Sequence, residues 1–450
     1  MEANQTNYTI LMFPWLAHGH VFPYLELAKN LSNKNFNIFF CSTPINLSSI
    51  NDALTKTSSS GVSIHQVELH LPSSPELPPH YHTTKNVPPH LMPKLQQAFQ
   101  KSKSSFTNII TSLKPDILIY DVFQPWSAKI ASSLGIPAVH FATSGATPYS
   151  FYYHNITYKN STFPYDAIYF RDYERKAMQA MDFSALRDEN NQDSMFSQSC
   201  EIVLMKTCRG IEGKYIDYLS VLCKKKLVPV GPLITLDESE GNNHSEIMEW
   251  LSKKKQFSTV FISFGSENYL SKDQMEEIAK GLEICNVNFI WVVRFPLGDV
   301  VSIEEALPKG FLENVKDRGM ILQGWAPQAK ILGHPSIGGF VSHCGMSSII
   351  ESVYFGVPII AMPLKLDQPL NARLLVEAGV AVEVIRGGNG DLRSEEVVNA
   401  INKVVVEKTG EEMRLKVAEL SEKMKNEEEY AINEAAEELR RLCMEHKEQK

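Results

Sequence analysis

The stretch Gly339 to Tyr354, GFVSHCGMSSIIESVY, restricts the possible folds more than any other part of the 450-residue chain. Four residues of strand, Gly339-Phe340-Val341-Ser342, run into the tight turn His343-Cys344-Gly345 and out into a short helix. A strand that feeds directly into a helix exposes the first free N–H groups of that helix, and these, with the positive end of its dipole, hold phosphate oxygens. Gly345 lets a ligand approach the backbone, the hydroxyls of Ser347 and Ser348 can donate to oxygen, and His343 adds a donor from the end of the strand. Glu351 lies four residues past Ser347, on the same helix face, where it can accept two ribose hydroxyls. Taken alone, the stretch also fits a plain strand, turn and capped helix.

The rest of the sequence repeats this alternation. Expected strands lie at Tyr8 to Phe13, Phe36 to Cys41, Val62 to Leu69, Ile117 to Tyr120, Ile136 to Phe141 and Ile202 to Lys206. The second half continues with Thr259 to Ser263, Phe289 to Val293, Met320 to Leu322 and Ala381 to Val384. Apolar residues recur at helical spacing in Tyr24 to Leu31 and Lys272 to Cys285. Such alternation predicts an α/β fold with parallel, doubly wound sheets. The polar run DESEGNNHS, Asp237 to Ser245, marks a linker. The expected plan is therefore a first domain over 1–235, a linker over 236–246 and a second domain over 247–430. Residues 431–450 end a long charged helix expected to pack back on the first domain.

In open parallel sheets ligands bind beyond the carboxyl ends of the strands. Two histidines, His18 and His20, follow the first strand there, and either ring can face the ligand. His20 is the candidate base, since a helix N-terminus disfavours imidazolium and keeps the ring able to take a proton near pH 7. Asp121 ends the strand Ile117 to Tyr120, beside the same crevice. It can either cap a helix or orient the imidazole and stabilise its protonated form. Thr143 follows a further strand, and Ser266 ends the turn Phe264-Gly265-Ser266 in the second half, placed to donate to a diphosphate. Leu71 to Pro93 holds seven prolines and three histidines with no hydrophobic period, which reads as a long loop lining a ligand cleft rather than a metal site, since no Cys completes a ligand set.

Composition narrows the function. A net charge of −8 and a pI near 5.9 give no basic surplus with which to bind nucleic acid or an anionic membrane. The short apolar run from Ile10 to Leu16 fits neither a signal peptide nor a membrane span. Seven cysteines without a Cys-x-x-Cys pair read as reduced thiols of a cytoplasmic protein. No Asp-x-Asp pair suggests a metal, and no Gly-x-Gly-x-x-Gly follows an expected strand, which counts against a nicotinamide-dependent oxidoreductase.

Residues Trp325 to Gln368, WAPQAKILGHPSIGGFVSHCGMSSIIESVYFGVPIIAMPLKLDQ, resemble the signature box of plant family-1 UDP-glycosyltransferases, and the likeness extends over essentially the whole chain. It implies a GT-B type fold, with two facing Rossmann-like domains, parallel sheets and a cleft between them. By the same resemblance Trp325 stacks on uracil beside Ala326. Gln328 and Glu351 hold the ribose, and His343, Gly345, Ser347, Ser348 and Ser266 meet the diphosphate. The donor sugar would be held by Asp367 and Gln368, with Thr143 and Met346 beside it. The family usually has Trp-Asn where this chain has Met346-Ser347. Its base stands in a Gly-His-x-x-Pro setting, matched by Gly19-His20-Val21-Phe22-Pro23, and its supporting acid matches Asp121.

Within the family the segments FPWLAHGHVFPYLELAK, LPPHYHTT, YDVFQPW, ISFGSE, WVVRFP and LDQPLNARL resemble the branch that adds a sugar to a sugar already carried by a flavonoid or terpenoid. The resemblance thus implies an inverting hexosyltransferase using UDP-glucose as co-substrate and a small-molecule glycoside as acceptor. No metal or other cofactor is expected beside the UDP-sugar, and a monomer is the default expectation where the sequence is silent on oligomeric state. The same chemistry on an aglycone hydroxyl, or a non-catalytic UDP-sugar-binding protein, are the alternatives.

Overall fold

A computed structural model describes residues 7–57, 64–159, 161–181, 196–235, 242–296 and 301–448. They form two compact units, one combining Met1–Lys159, Asp182–Thr235 and Asn426–Lys450, the other Asn160–Met181 and Leu236–Lys425.

The first unit is built on seven strands: β1 (Thr9–Phe13), β2 (Asn37–Ser42), β3 (Ile64–Glu68), β4 (Ile117–Tyr120), β5 (Ala138–Ala142), β6 (Ile202–Met205) and β7 (Lys226–Pro229). They pair in parallel in the order β3-β2-β1-β4-β5-β6-β7. Side chains alternate across the sheet. Ile10 and Met12 join one buried layer with Ile38, Ile119 and Phe141, while Leu11 and Phe13 join the opposite layer with Phe99, Phe106 and Trp126. Burial on both faces explains why these strands read as continuous apolar runs. The end of the long helix Lys408–Glu448 covers the first face with Ile432, Ala435, Leu439 and Leu442.

The second unit carries β8 (Thr259–Ser263), β9 (Asn288–Val293), β10 (Gly319–Gln323), β11 (Ile337–Ser342), β12 (Ile359–Ala361) and β13 (Ala381–Glu383). Their order is β10-β9-β8-β11-β12-β13, again parallel throughout. In each sheet the strand order reverses direction once, between β1 and β4 in the first and between β8 and β11 in the second. These are the points where loops on adjacent strands diverge and leave a crevice.

Three expectations are corrected. The helix after β1 begins at His18, not Tyr24, because the Ala17 carbonyl already accepts from His20 and Val21 and nucleates the first turn ahead of Pro23. Residues 242–246, expected in the linker, belong to the helix Asn242–Ser252; residues 236–241 lie outside the described residues. Asn160–Met181, expected in the first domain, groups with the second unit. There Arg373, only 3% exposed, forks onto both carboxylate oxygens of Glu174 at 2.9 Å, and Arg171 pairs with Glu383. Among the described residues no helix is long and apolar enough to cross a membrane.

One buried carboxylate holds the β5 end in place. Glu212 sits at a kink in the helix Arg209–Cys223 and accepts from the backbone N–H groups of Ala146 and Thr147, at 3.0 and 2.7 Å, and from the Thr207 hydroxyl. It thereby caps the helix Ala146–Thr157, whose own N-cap, Gly145, has no side chain with which to do so. Glu212→Ala should cost about 3 kcal/mol or more, since each hydrogen bond to a buried charge contributes about 1.5–3 kcal/mol. Calorimetric melting of the purified variant checks this, and an unshifted transition would refute the capping role.

His140 on β5 packs against Tyr120 and Phe196, and burial pushes its pKa down to about 4. The folded value lies below the unfolded one of about 6.5, so the unfolded chain takes up the proton first. Stability from the neutral ring is complete above about pH 6.5 and is lost toward pH 4, at up to about 1.4 kcal/mol per pH unit. His140→Leu should accordingly give a shallower fall of melting temperature between pH 6.5 and 4 than the wild type.

Candidate active site

The first cluster forms at the β1/β4 reversal. The His20 side chain, on the first turn of the helix His18–Ser32, places Nδ1 2.7 Å from Asp121 Oδ2. Asp121 follows β4 directly, and its carboxylate is 1% exposed while the imidazole is 22% exposed. Its second oxygen accepts from the Phe123 N–H at 3.4 Å. The carboxylate claims the Nδ1 proton, which leaves Nε2 as the basic nitrogen. Phe123 packs edge-on against the same ring, 5.6 Å away.

His18 is placed differently. Its ring is buried and lies edge-on to Phe22 at 5.1 Å, so of the two histidines only His20 meets Asp121. Thr143, expected near a donor sugar, brings its hydroxyl to 3.2 Å from His20 Nδ1 and so positions the imidazole. The proline-rich loop braces the same region. The Leu16 carbonyl accepts from the Thr84 N–H and from the hydroxyls of Thr83 and Thr84, and the Thr43 hydroxyl bonds the His82 carbonyl.

The second cluster forms at the β8/β11 reversal. β11 ends at Ser342, Cys344 adopts a left-handed φ of 65°, and the helix Met346–Tyr354 starts after Gly345 without a side-chain cap. The strained turn is pinned by Asn371, which donates to the Cys344 carbonyl at 3.0 Å and to Asp367 Oδ2 at 3.2 Å. Two glycines make room for His343. A Cβ on Gly345 would lie 2.5 Å from His343 Nε2, and one on Gly265 would lie 2.8 Å from Cε1. The ring is 7% exposed, and its Nδ1 has no hydrogen-bond partner among the described residues. Burial, aided by the charge of Lys365, pushes its pKa down to about 4, so His343 is neutral near pH 7.

The remaining expected residues fall on the same side of this sheet. Gln328 donates to Glu351 Oε2 at 2.7 Å and to the Ser348 hydroxyl at 3.3 Å, which places all three within reach of one ligand. Trp325 is 57% exposed, a large value for an indole, with the Arg294 guanidinium 5.9 Å from its ring centroid; Ala326 beside it is buried. Gln368 opens the helix Gln368–Glu377, and its Oε1 accepts from the backbone of Leu364 and Lys365, leaving Nε2 as the group able to serve a ligand. Met346 is buried, Ser347 half-buried, and Ser266 half-buried just after Gly265. Arg294, Asn371 and Lys365 were not singled out by the sequence. Arg294 and Asn371 lie in segments that carry the family likeness and Lys365 inside the box, but no spacing gives any of the three a role.

Comparison with known proteins gives the family and the fold. Residues 6–235 match the family model "Glycosyltransferase, N-terminal domain" and residues 235–425 match "UDP-glucoronosyl and UDP-glucosyl transferase". The chain is 49% identical to a beta-D-glucosyl crocetin beta-1,6-glucosyltransferase of Gardenia jasminoides, over 96% of this chain and 99% of that one. It is 51% identical to a mogroside IIIx synthase of Siraitia grosvenorii, over 95% and 96%. The crystal structure of Glycyrrhiza uralensis UGT73P12, complexed with glycyrrhetinic acid 3-O-monoglucuronide, matches with a TM-score of 0.86 at 24% identity, covering 99% of this chain and 98% of that one. That likeness gives the GT-B type fold. With both halves matched and relatives near 50% identity along their whole length, the chain belongs to the plant family-1 UDP-glycosyltransferases.

Proposed function

We propose that this enzyme transfers glucose from UDP-glucose to a hydroxyl of a sugar already attached to a terpenoid or flavonoid, with inversion at the anomeric carbon. The acceptor class rests on the two relatives, whose names describe a transferase for a glucosyl crocetin and a synthase of a mogroside. The choice of glucose rests on the Asp367-Gln368 ending of the box. The scheme uses no metal ion or further cofactor, and the enzyme acts as a cytoplasmic monomer.

The observation that carries the mechanism is the 2.7 Å contact between His20 Nδ1 and Asp121 Oδ2 at a sheet's switch point. In this scheme Nε2 of His20 removes the proton of the acceptor hydroxyl, and the oxygen forms a bond to the anomeric carbon from the face opposite UDP. The bond from that carbon to the β-phosphate oxygen breaks, and UDP departs with the electron pair. An α-linked donor thus yields a β-linked product. Asp121 stabilises the imidazolium formed in the transfer, and Thr143 keeps the ring in place.

The leaving diphosphate would be met by the uncapped helix start at Gly345 to Ser348, by His343 and by Ser266. Preorganised donors of this kind act without reorganising when charge develops. A neutral His343 retains one N–H with which to donate to the diphosphate. Trp325 and Ala326 would take the uracil, Gln328 and Glu351 the ribose, and Gln368 Nε2 with Asp367 the sugar hydroxyls, with Met346 beside them.

His20→Ala should lower kcat/KM by about 10²- to 10⁴-fold, the usual contribution of a general base, while UDP affinity measured by calorimetry stays at the wild-type value. Unchanged turnover would remove His20 from its assigned role. Crossing UDP-glucose, UDP-xylose, UDP-galactose and UDP-glucuronate with aglycones and their monoglucosides, read by mass spectrometry, should give product from UDP-glucose with the glucosides. Product from the aglycones alone would move the acceptor to a bare hydroxyl.

A further inference from the structure

Lys365 stands in the loop between β12 and the helix Gln368–Glu377, and nothing in the proposed scheme uses it. Its backbone N–H is fixed by Gln368 Oε1 at 3.0 Å, so the position from which its side chain starts is set by the fold. The ammonium reaches the Glu267 carbonyl at 3.1 Å, which joins the loop after β12 to the loop after β8. That second loop carries Ser266, and its Gly265 packs against the His343 ring that ends β11. Lys365 therefore spans three adjacent strand ends, β8, β11 and β12, around the uncapped start of the helix Met346–Tyr354.

The electrostatics at this point are unbalanced. Lys365 is half-buried and forms no ion pair with a carboxylate among the described residues; its hydrogen-bond partner is a neutral carbonyl. Burial lowers its pKa despite the more distant Glu267 carboxylate, and its charge in turn opposes protonation of His343. A desolvated ammonium costs several kcal/mol unless an anion compensates it. Only one of its three N–H donors is occupied by the Glu267 carbonyl. On a protein of net charge −8, a local cation is also what allows a dianionic group to be held.

We propose that Lys365 binds the diphosphate of the donor, adding a charge to the hydrogen bonds offered by His343, Ser266 and the helix start. The proposal rests on the placement of UDP in this unit given above. It divides the work at the site: a neutral ring and backbone donors fix geometry, and the ammonium supplies the attraction and offsets the charge that grows on departing UDP.

The test is calorimetric titration of the full-length wild type, Lys365→Met and Lys365→Arg with uridine, UDP, UDP-glucose and UDP-glucuronate. Lys365→Met should weaken UDP and UDP-glucose about tenfold or more, the size of one charge-assisted hydrogen bond, leave uridine unchanged and flatten the salt dependence of UDP binding. Lys365→Arg should restore most of the UDP affinity. Equal losses for uridine and UDP would make Lys365 a strut to Glu267 and overturn the proposal, as would unchanged UDP binding. A loss confined to UDP-glucuronate would assign the ammonium to a sugar carboxylate instead and overturn the diphosphate reading. Should the wild type bind UDP no better than uridine, the placement of UDP itself fails, an outcome distinct from a wild type that binds UDP and a variant that binds it equally well.

Discussion

Parallel pairing throughout each sheet sends the carboxyl ends of its strands to one edge of that sheet, and both candidate clusters depend on that constraint. A parallel strand cannot return by a tight turn, so each must be followed by a crossover, and the loop that begins each crossover lies on the same edge as its neighbours. His20, Asp121 and Thr143 follow β1, β4 and β5, three neighbours in the first sheet. Ser266, His343 and Lys365 follow β8, β11 and β12, three neighbours in the second. Residues more than a hundred positions apart in sequence therefore meet because their strands are adjacent.

The two clusters are stabilised in opposite ways. At His20 a buried carboxylate is matched to a partly exposed ring, so a negative charge lies 2.7 Å from one ring nitrogen while the ring edge reaches solvent. At His343 burial keeps the ring neutral, its Nδ1 has no hydrogen-bond partner among the described residues, and a strained Cys344 and two glycines hold the space. Such strain persists only where neighbours over-determine the backbone. Asn371 does so here, holding the turn's carbonyl and the Asp367 carboxylate with one amide.

Much of this was legible in the sequence, for particular reasons. The box from Trp325 to Gln368 is local: its strand, turn and helix are adjacent in the chain, so their succession could be read from the residues in order. The pairing of Asp121 with His20 needed the strand order, which the sequence suggested only through the family likeness. His18 and His20 differ by two positions on one helical turn, yet His20 meets Asp121 while His18 packs against Phe22, a difference that no local pattern announces. What escaped was non-local or ambiguous. The first helix begins before Tyr24, where apolar spacing becomes readable, because the Ala17 carbonyl nucleates its first turn, a backbone contact that side-chain periodicity does not mark. Residues 160–181 were placed by position along the chain, whereas ion pairs to Arg373 and Glu383, about two hundred residues away, decide where they fold. Lys365 lay in plain view within the box, but a lysine's role depends on whether an anion partner is nearby, and sequence does not record that.

The interleaving of the chain limits how such enzymes can diversify. The unit that carries the box is assembled from 160–181 as well as 236–425, and the unit that carries His20 is completed only by 426–450. A crossover between two relatives near residue 235 would bring Glu174 from one parent against Arg373 from the other, and lay a foreign Ile432 to Leu442 face on the first sheet. Exchange of whole halves at that point therefore separates residues that fold as one unit, on both sides of the junction.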